Sequence, residues 1–129
     1  QVLESSLTVL RAADAAVCKS GTTTLEAAVA GCPLVVAYRT SRWTHTIAAR
    51  LVRIPHIGLV NVVAGREIAR EFVQDALVPE ALAAAVTPLL DHRSPERAVL
   101  VRALAEVRGR LGTPGAAGRV AAIVSALAA

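Results

Sequence analysis

The sequence predicts an α/β domain, a small parallel sheet with flanking helices whose ligand site lies at the carboxyl ends of the strands. Two observations carry this. Cys18 to Ala37 reads as a strand end, a small-residue turn, a helix and a second strand. Leu34 to Tyr38 is an almost continuous apolar run with two valines, the pattern of a strand covered on both faces. Two strands joined by a crossover helix form a parallel βαβ unit, and ligands of such sheets gather beyond the carboxyl ends of the strands.

The elements follow in order. Ser6 to Ala13 has helical apolar spacing, with Leu3, Leu7 and Leu10 on its inner face, and leads through Asp14 into a strand from Ala15 to Cys18. Thr22 or Thr23 caps the next helix, which Gly31 and Pro33 end. Ser41 to Leu51 reads as a helix with Trp43, Ile47 and Leu51 on one side. Pro55 breaks it, and His56 to Val60 reads as a short edge or final strand. Asn61 to Gly65 is expected as a loop and Arg66 to Phe72 as a short helix. Pro79 opens a helix running to Leu90, with Leu82, Val86, Leu89 and Leu90 inward. After a turn at Asp91 to Pro95, Glu96 to Leu111 carries Leu100, Leu104, Val107 and Leu111 at helical spacing. Gly112 to Gly118 reads as a linker, and Arg119 to Ala128 as a last amphipathic helix that can pack at home or on a neighbouring subunit. This divides the chain into a partial α/β domain, 1–111, and a linker with terminal helix, 112–129, the helix open to exchange between subunits. The chain opens on Gln1 and reaches a helix before its first strand, which reads as the visible part of a longer enzyme, incomplete at its N-terminal side.

Composition narrows the function. A chain of 129 residues holds one domain with a real core. The net charge of +4 is scattered, with no basic run, aromatic stacking platform or zinc-finger spacing, which argues against nucleic acid. Cys18 and Cys32 make no metal pattern and read as reduced core thiols of a cytosolic protein. His45, His56 and His92 are dispersed and show no catalytic order.

The candidate site begins at Ser20-Gly21-Thr22-Thr23, where the first strand gives way to a helix. Such a junction presents unpaired N–H groups and the positive end of the helix dipole, which suits a diphosphate. A plain cap and turn is the alternative. Glu26, about one turn further on, can accept hydrogen bonds from sugar hydroxyls and is poorly placed to touch phosphate. Together these answer the needs of a nucleotide sugar. The glycine spacing is neither that of a Walker loop nor that of a dinucleotide fingerprint. Arg39, at the end of the second strand, either faces the diphosphate or is solvated. Asn61, after an apolar run, is expected at the same crevice mouth. Arg66 either neutralises phosphate or pairs with Glu67 or Glu71. Trp43 among Arg42, Arg50 and Arg53 suits anionic lipid headgroups or a core contact.

Taken with Val35-Val36-Ala37-Tyr38-Arg39, Ala48-Ala49-Arg50-Leu51-Val52, Asn61-Val62-Val63-Ala64-Gly65-Arg66-Glu67 and Phe72-Val73-Gln74-Asp75, the motif Ser20 to Glu26 makes nearly the whole chain resemble the lipid-A-disaccharide synthase family. These are glycosyltransferases of the two-Rossmann-domain (GT-B) type, and the chain resembles their C-terminal, donor-binding part. The resemblance implies transfer of 2,3-diacylglucosamine from its UDP donor to 2,3-diacylglucosamine 1-phosphate, with inversion, release of UDP and no other cofactor. By position it implies that Ser20, Gly21, Thr22 and Thr23 cradle the diphosphate, that Glu26 binds the ribose, and that Asn61 and Arg66 line the donor site. Gln74 then lies close to the sugar or the domain contact. It also implies a general base on an N-terminal domain outside this chain, a homodimer that exchanges C-terminal helices, and a cytoplasmic location, peripheral on the inner membrane. Val60 stands where the family usually has proline before the asparagine, Arg42 replaces another proline, and Lys19 a small residue. The rivals are another UDP-sugar transferase, a UDP-N-acetylglucosamine 2-epimerase, a noncatalytic UDP-sugar-binding module, and a purely structural oligomerisation domain.

Overall fold

The computed structural model describes residues 6–40, 56–113 and 115–128. In chain order the elements are α1 (Ser6–Ala12), β1 (Ala16–Lys19), α2 (Thr23–Ala30), β2 (Leu34–Tyr38), α3 (Leu59–Ala64), β3 (Glu71–Val73), a 3₁₀ turn (Gln74–Ala76), α4 (Pro79–Leu90), α5 (Pro95–Arg110) and α6 (Ala116–Ala128). The three strands lie side by side in the order β1-β2-β3, both pairs parallel, with Lys19 opposite Ala37 and Tyr38 opposite Val73. This is an α/β architecture with a parallel sheet and flanking helices, consistent with a Rossmann-like GT-B domain.

The first βαβ unit forms for local reasons. Gly31 adopts φ +72° and its N–H reaches the carbonyls of Ala27 and Ala28, closing α2 in the left-handed geometry that glycine tolerates best. Pro33 then blocks any continuation of the helix. Ala27 and Ala28 are fully buried, and their small side chains let α2 sit close on the sheet. Leu34, Val35 and Val36 are all buried, as a strand covered on both faces requires. β1 is an edge of this sheet: Cys18 is 3% exposed but its neighbour Val17 is 49% exposed.

The later helices pack as amphipathic layers. α4 lies against β2 and α5 lies against α2 and α3, burying Leu100, Ala103, Leu104 and Val107. Ser94 caps α5 by accepting the Arg97 N–H at 3.0 Å, with Pro95 in the first turn. Two apolar residues of these helical stripes are not buried. Leu90, expected inward, is 52% exposed because Leu89 takes the buried position, and adjacent helical residues point about 100° apart. Leu111 lies past the end of α5 and is also exposed. α6 starts at Ala116, three residues before the expected start, since Ala116 and Ala117 favour helix.

The region from His56 to Phe72 departs from the sequence reading. No strand forms at His56 to Val60 and Asn61 is not in a loop: Leu59 to Ala64 is a helix, closed by Gly65 at φ +73°. A short apolar run cannot be told from a buried helix by periodicity alone, and valines are tolerated here because Val60 is fully buried. The helix expected at Arg66 to Phe72 is instead bends followed by the strand β3. Backbone pairing with β2, including the Val36 N–H to the Arg70 carbonyl at 2.8 Å, overrides the local preference. The helix expected at Ser41 to Leu51, Trp43 within it, and Leu3 fall outside the described residues.

Candidate functional site

The turn between β1 and α2 sits at the carboxyl end of the sheet and is shaped from within. Gly21 has φ +143°, a conformation that L side chains rarely adopt, yet no heavy atom lies within 4 Å of where a Cβ would stand. Backbone geometry therefore requires the glycine, and the space beside it is open. The third threonine of the run, which sequence reasoning passed over, locks the turn. Thr24 is fully buried; its Oγ1 donates to the Gly21 carbonyl at 2.8 Å and accepts the Val60 N–H at 3.3 Å. The Ser20 Oγ donates to the Ile57 carbonyl at 2.5 Å, tying the turn to the loop before α3.

These contacts leave some donors of the turn without a partner among the described residues. Thr22 holds the N-cap position with helical dihedrals and its side chain makes no capping bond. The N–H groups of Thr24, Leu25 and Glu26 are turned back onto Gly21 and Thr22 carbonyls. Among the described residues, no acceptor meets the N–H groups of Gly21, Thr22 or Thr23. Three such amides lie at the positive end of α2, an arrangement whose chemistry suits an anion. Glu26 lies one turn along, half-buried. Its Oε2 accepts the Ser6 hydroxyl at 2.6 Å, and its Oε1 meets no donor among the described residues.

The other sequence-derived candidates divide. Arg39 follows β2 directly and is exposed, at a strand end that adjoins that of β1. Gln74 sits at the end of β3 and is, among the described residues, the one non-glycine with positive φ, at +52°. Its Oε1 accepts the Thr40 N–H at 3.1 Å and its Nε2 donates to the Thr40 carbonyl at 3.0 Å, so it clamps the chain leaving β2. Arg66 follows the far end of α3, away from the Ser20 contact, and pairs with Glu106 of α5 at 3.5 Å, not with Glu67 or Glu71. More than half of each side chain is exposed, so that pair adds little.

Asn61 is a different case from the one expected. It lies inside α3, fully buried, and its amide is saturated by its own chain. Its Oδ1 accepts the N–H groups of Ile68 and Ala69, both at 2.9 Å. Its Nδ2 donates to the Ala69 carbonyl at 2.7 Å and to the Glu71 Oε1 at 2.8 Å. The structure thus places Asn61 in the packing between α3 and the segment that leads into β3. Glu71 was not singled out in the sequence; an acid opening a strand of three residues gives little local signal.

Cys18 lies on β1, two residues before Ser20, and burial, helped by nearby Cys32 and Glu26, pushes its pKa up to about 11. Burial raises that of Cys32 too, against the pull of Arg97. Both are free and buried. A thiol held neutral by the fold contributes stability that is full below the unfolded pKa, near 9.0, and is lost as pH rises towards 11. The unfolding free energy should therefore fall across that window more steeply in the wild type than in Cys18→Ala, as urea titrations at successive pH values would show. Parallel slopes would count against a buried neutral thiol.

The sequence model of one protein family, described as Lipid-A-disaccharide synthetase, matches residues 1–109. The lipid-A-disaccharide synthase of Syntrophus aciditrophicus is 44% identical over 116 residues, covering 90% of this chain and 30% of that protein. That of Anaeromyxobacter sp. (strain K) is 48% identical over 113 residues, 88% of this chain and 29% of that protein. That of Sodalis glossinidius is 51% identical over 89 residues, 69% of this chain and 23% of that protein. The chain therefore spans less than a third of the length of these relatives.

Proposed function

This chain belongs to the lipid-A-disaccharide synthase family, and from that premise we propose that it is the donor-binding part of an inverting glycosyltransferase. The reaction moves 2,3-diacylglucosamine from UDP to 2,3-diacylglucosamine 1-phosphate and releases UDP. The observation that carries the reading is the turn at Ser20 to Thr23, with three amides unpaired among the described residues and a carboxylate one turn beyond.

In this reading the amides of Gly21, Thr22 and Thr23 hold the diphosphate and Glu26 holds the ribose hydroxyls. Negative charge grows on the diphosphate as the anomeric C–O bond breaks. Donors fixed in advance by Thr24 and Ser20 meet that charge without reorganising, which favours the transition state over the bound substrate. Arg39 at the adjoining strand end adds positive charge. Gln74 acts by holding Thr40, and Asn61 by holding the floor. Arg66 reaches the donor only by leaving Glu106, a small loss for an exposed pair. The general base belongs to a part of the enzyme outside this chain, so the isolated chain is expected to be inactive.

The apolar stripe of α6 supports exchange of this helix between subunits of a homodimer: Val120, Ile123, Val124 and Leu127 are each more than half exposed. Sedimentation of the full-length enzyme should give a dimer that removal of residues 112–129 converts to monomer. An unchanged dimer would assign the contact elsewhere. We place the enzyme in the cytoplasm, at the inner membrane surface where its acylated substrates reside. Among the described residues, no helix is long and apolar enough to cross a membrane.

The function is tested by supplying the full-length enzyme with UDP-sugars with and without acyl chains. Disaccharide should form from the diacylated donor alone. Equal turnover of an unacylated donor would favour a different UDP-sugar transferase, and conversion of UDP-N-acetylglucosamine to its 2-epimer would favour an epimerase.

A further inference from the structure

The peptide unit joining Ile57 to Gly58 is gripped from both sides. Its N–H, on Gly58, donates to the Glu71 Oε1 at 2.9 Å, and its carbonyl, on Ile57, accepts the Ser20 hydroxyl at 2.5 Å. Glu71 also takes the Ile57 N–H on Oε2 at 3.0 Å and the Asn61 Nδ2 on Oε1 at 2.8 Å. One carboxylate thus collects three donors, and among the described residues no arginine or lysine pairs with it. The fit is close: a Cβ on Gly58 would stand 3.1 Å from the Glu71 Oε1 and 3.0 Å from the Val36 Cγ2. Because a peptide is planar and stiff, fixing its N–H fixes the direction of its carbonyl.

We propose that Glu71 is a positioning residue for the nucleotide site: through the Ile57–Gly58 peptide it sets Ser20, and so the turn that presents the amides of Gly21, Thr22 and Thr23. The inference rests on the nucleotide reading of that turn. Charge is what the position demands. A neutral glutamine keeps one acceptor oxygen and turns its NH₂ towards a donor, so at least one of the three bonds is lost.

The test is UDP affinity, by calorimetry on the full-length enzyme, for the wild type, Glu71→Gln, Ser20→Ala and the double variant. Glu71→Gln should weaken UDP about tenfold, the scale of a lost charge-assisted bond. The double variant should bind no more than about twofold more weakly than the weaker single one, because both substitutions cut the same chain of contacts. A Glu71→Gln effect under twofold, or losses that multiply in the double variant, would overturn the proposal. Glu71→Asp keeps both acceptor oxygens and should recover part of the affinity; an aspartate variant no better than glutamine would also count against it. If Glu71→Gln does not fold, amide exchange in the wild type decides: saturating UDP should slow exchange at Ile57 and Gly58, and unchanged rates would overturn the coupling. A wild-type enzyme that takes up no UDP would instead remove the nucleotide reading itself.

Discussion

Replacing Asn61 with aspartate should cost the fold about 3–5 kcal/mol at neutral pH, the scale of an uncompensated buried charge. The change is isosteric, so packing is untouched and the effect isolates electrostatics. Oδ1 would still accept the Ile68 and Ala69 N–H groups. The atom replacing Nδ2 would then be an oxygen 2.7 Å from the Ala69 carbonyl and 2.8 Å from the Glu71 carboxylate. Two donor bonds become two repulsions in a fully buried site. Relief comes from a proton: once protonated, the introduced carboxyl could again donate to Glu71. Its pKa is thus raised in the fold, and its contribution is favourable at low pH and lost as pH rises. Urea unfolding should therefore show the gap from wild type narrowing as pH falls towards the ordinary carboxylate range, about 4. A loss below about 1 kcal/mol at neutral pH would mean that this network does not form in solution.

The second large effect is on the ligand. Glu26→Ala should weaken UDP binding by about 2 kcal/mol, roughly thirtyfold in Kd, as a carboxylate that accepts from ribose hydroxyls is removed. Glu26 is half-buried and tied only to the Ser6 hydroxyl among the described residues, so folding should be nearly unaffected. The ribose is remote from the bond that breaks. Its loss is therefore uniform binding energy, raising the donor KM with little change in kcat. Calorimetry with UDP and steady-state kinetics on the full-length enzyme read both. An unchanged Kd would remove Glu26 from the site, and a large fall in kcat at constant KM would give it another role.

What was legible in the sequence follows from range. β1, α2 and β2 were readable because their signals are local: an apolar strand, a threonine-rich start, and Gly31 and Pro33 as stops. Pro79 marked α4 in the same way, and the helical spacing of Leu100, Leu104 and Val107 marked α5, although Ser94 and Pro95, read as turn, turn out to be its cap and first residue. The turn from β1 into α2 was readable too, since Ser20 to Glu26 is one continuous segment. The stretch from His56 to Phe72 was not. Gly58 to Ala64 is an apolar, valine-rich run whose helical state depends on burial of Val60 and on Asn61 reaching across to Ile68, Ala69 and Glu71. β3 has three residues and exists by pairing with β2. The partner of Arg66 is Glu106, forty positions away (106 − 66), and no local spacing announces it. The roles of Thr24 and Glu71 are hidden for the same reason: their work is done on Val60, Ile57 and Gly58, which only the fold brings near.

The most direct measurement is a structure of the full-length enzyme with UDP bound. The diphosphate should lie against the N–H groups of Gly21, Thr22 and Thr23, with the ribose hydroxyls on Glu26. Uridine found elsewhere, or that mouth filled by side chains from the remainder of the enzyme, would contradict the account.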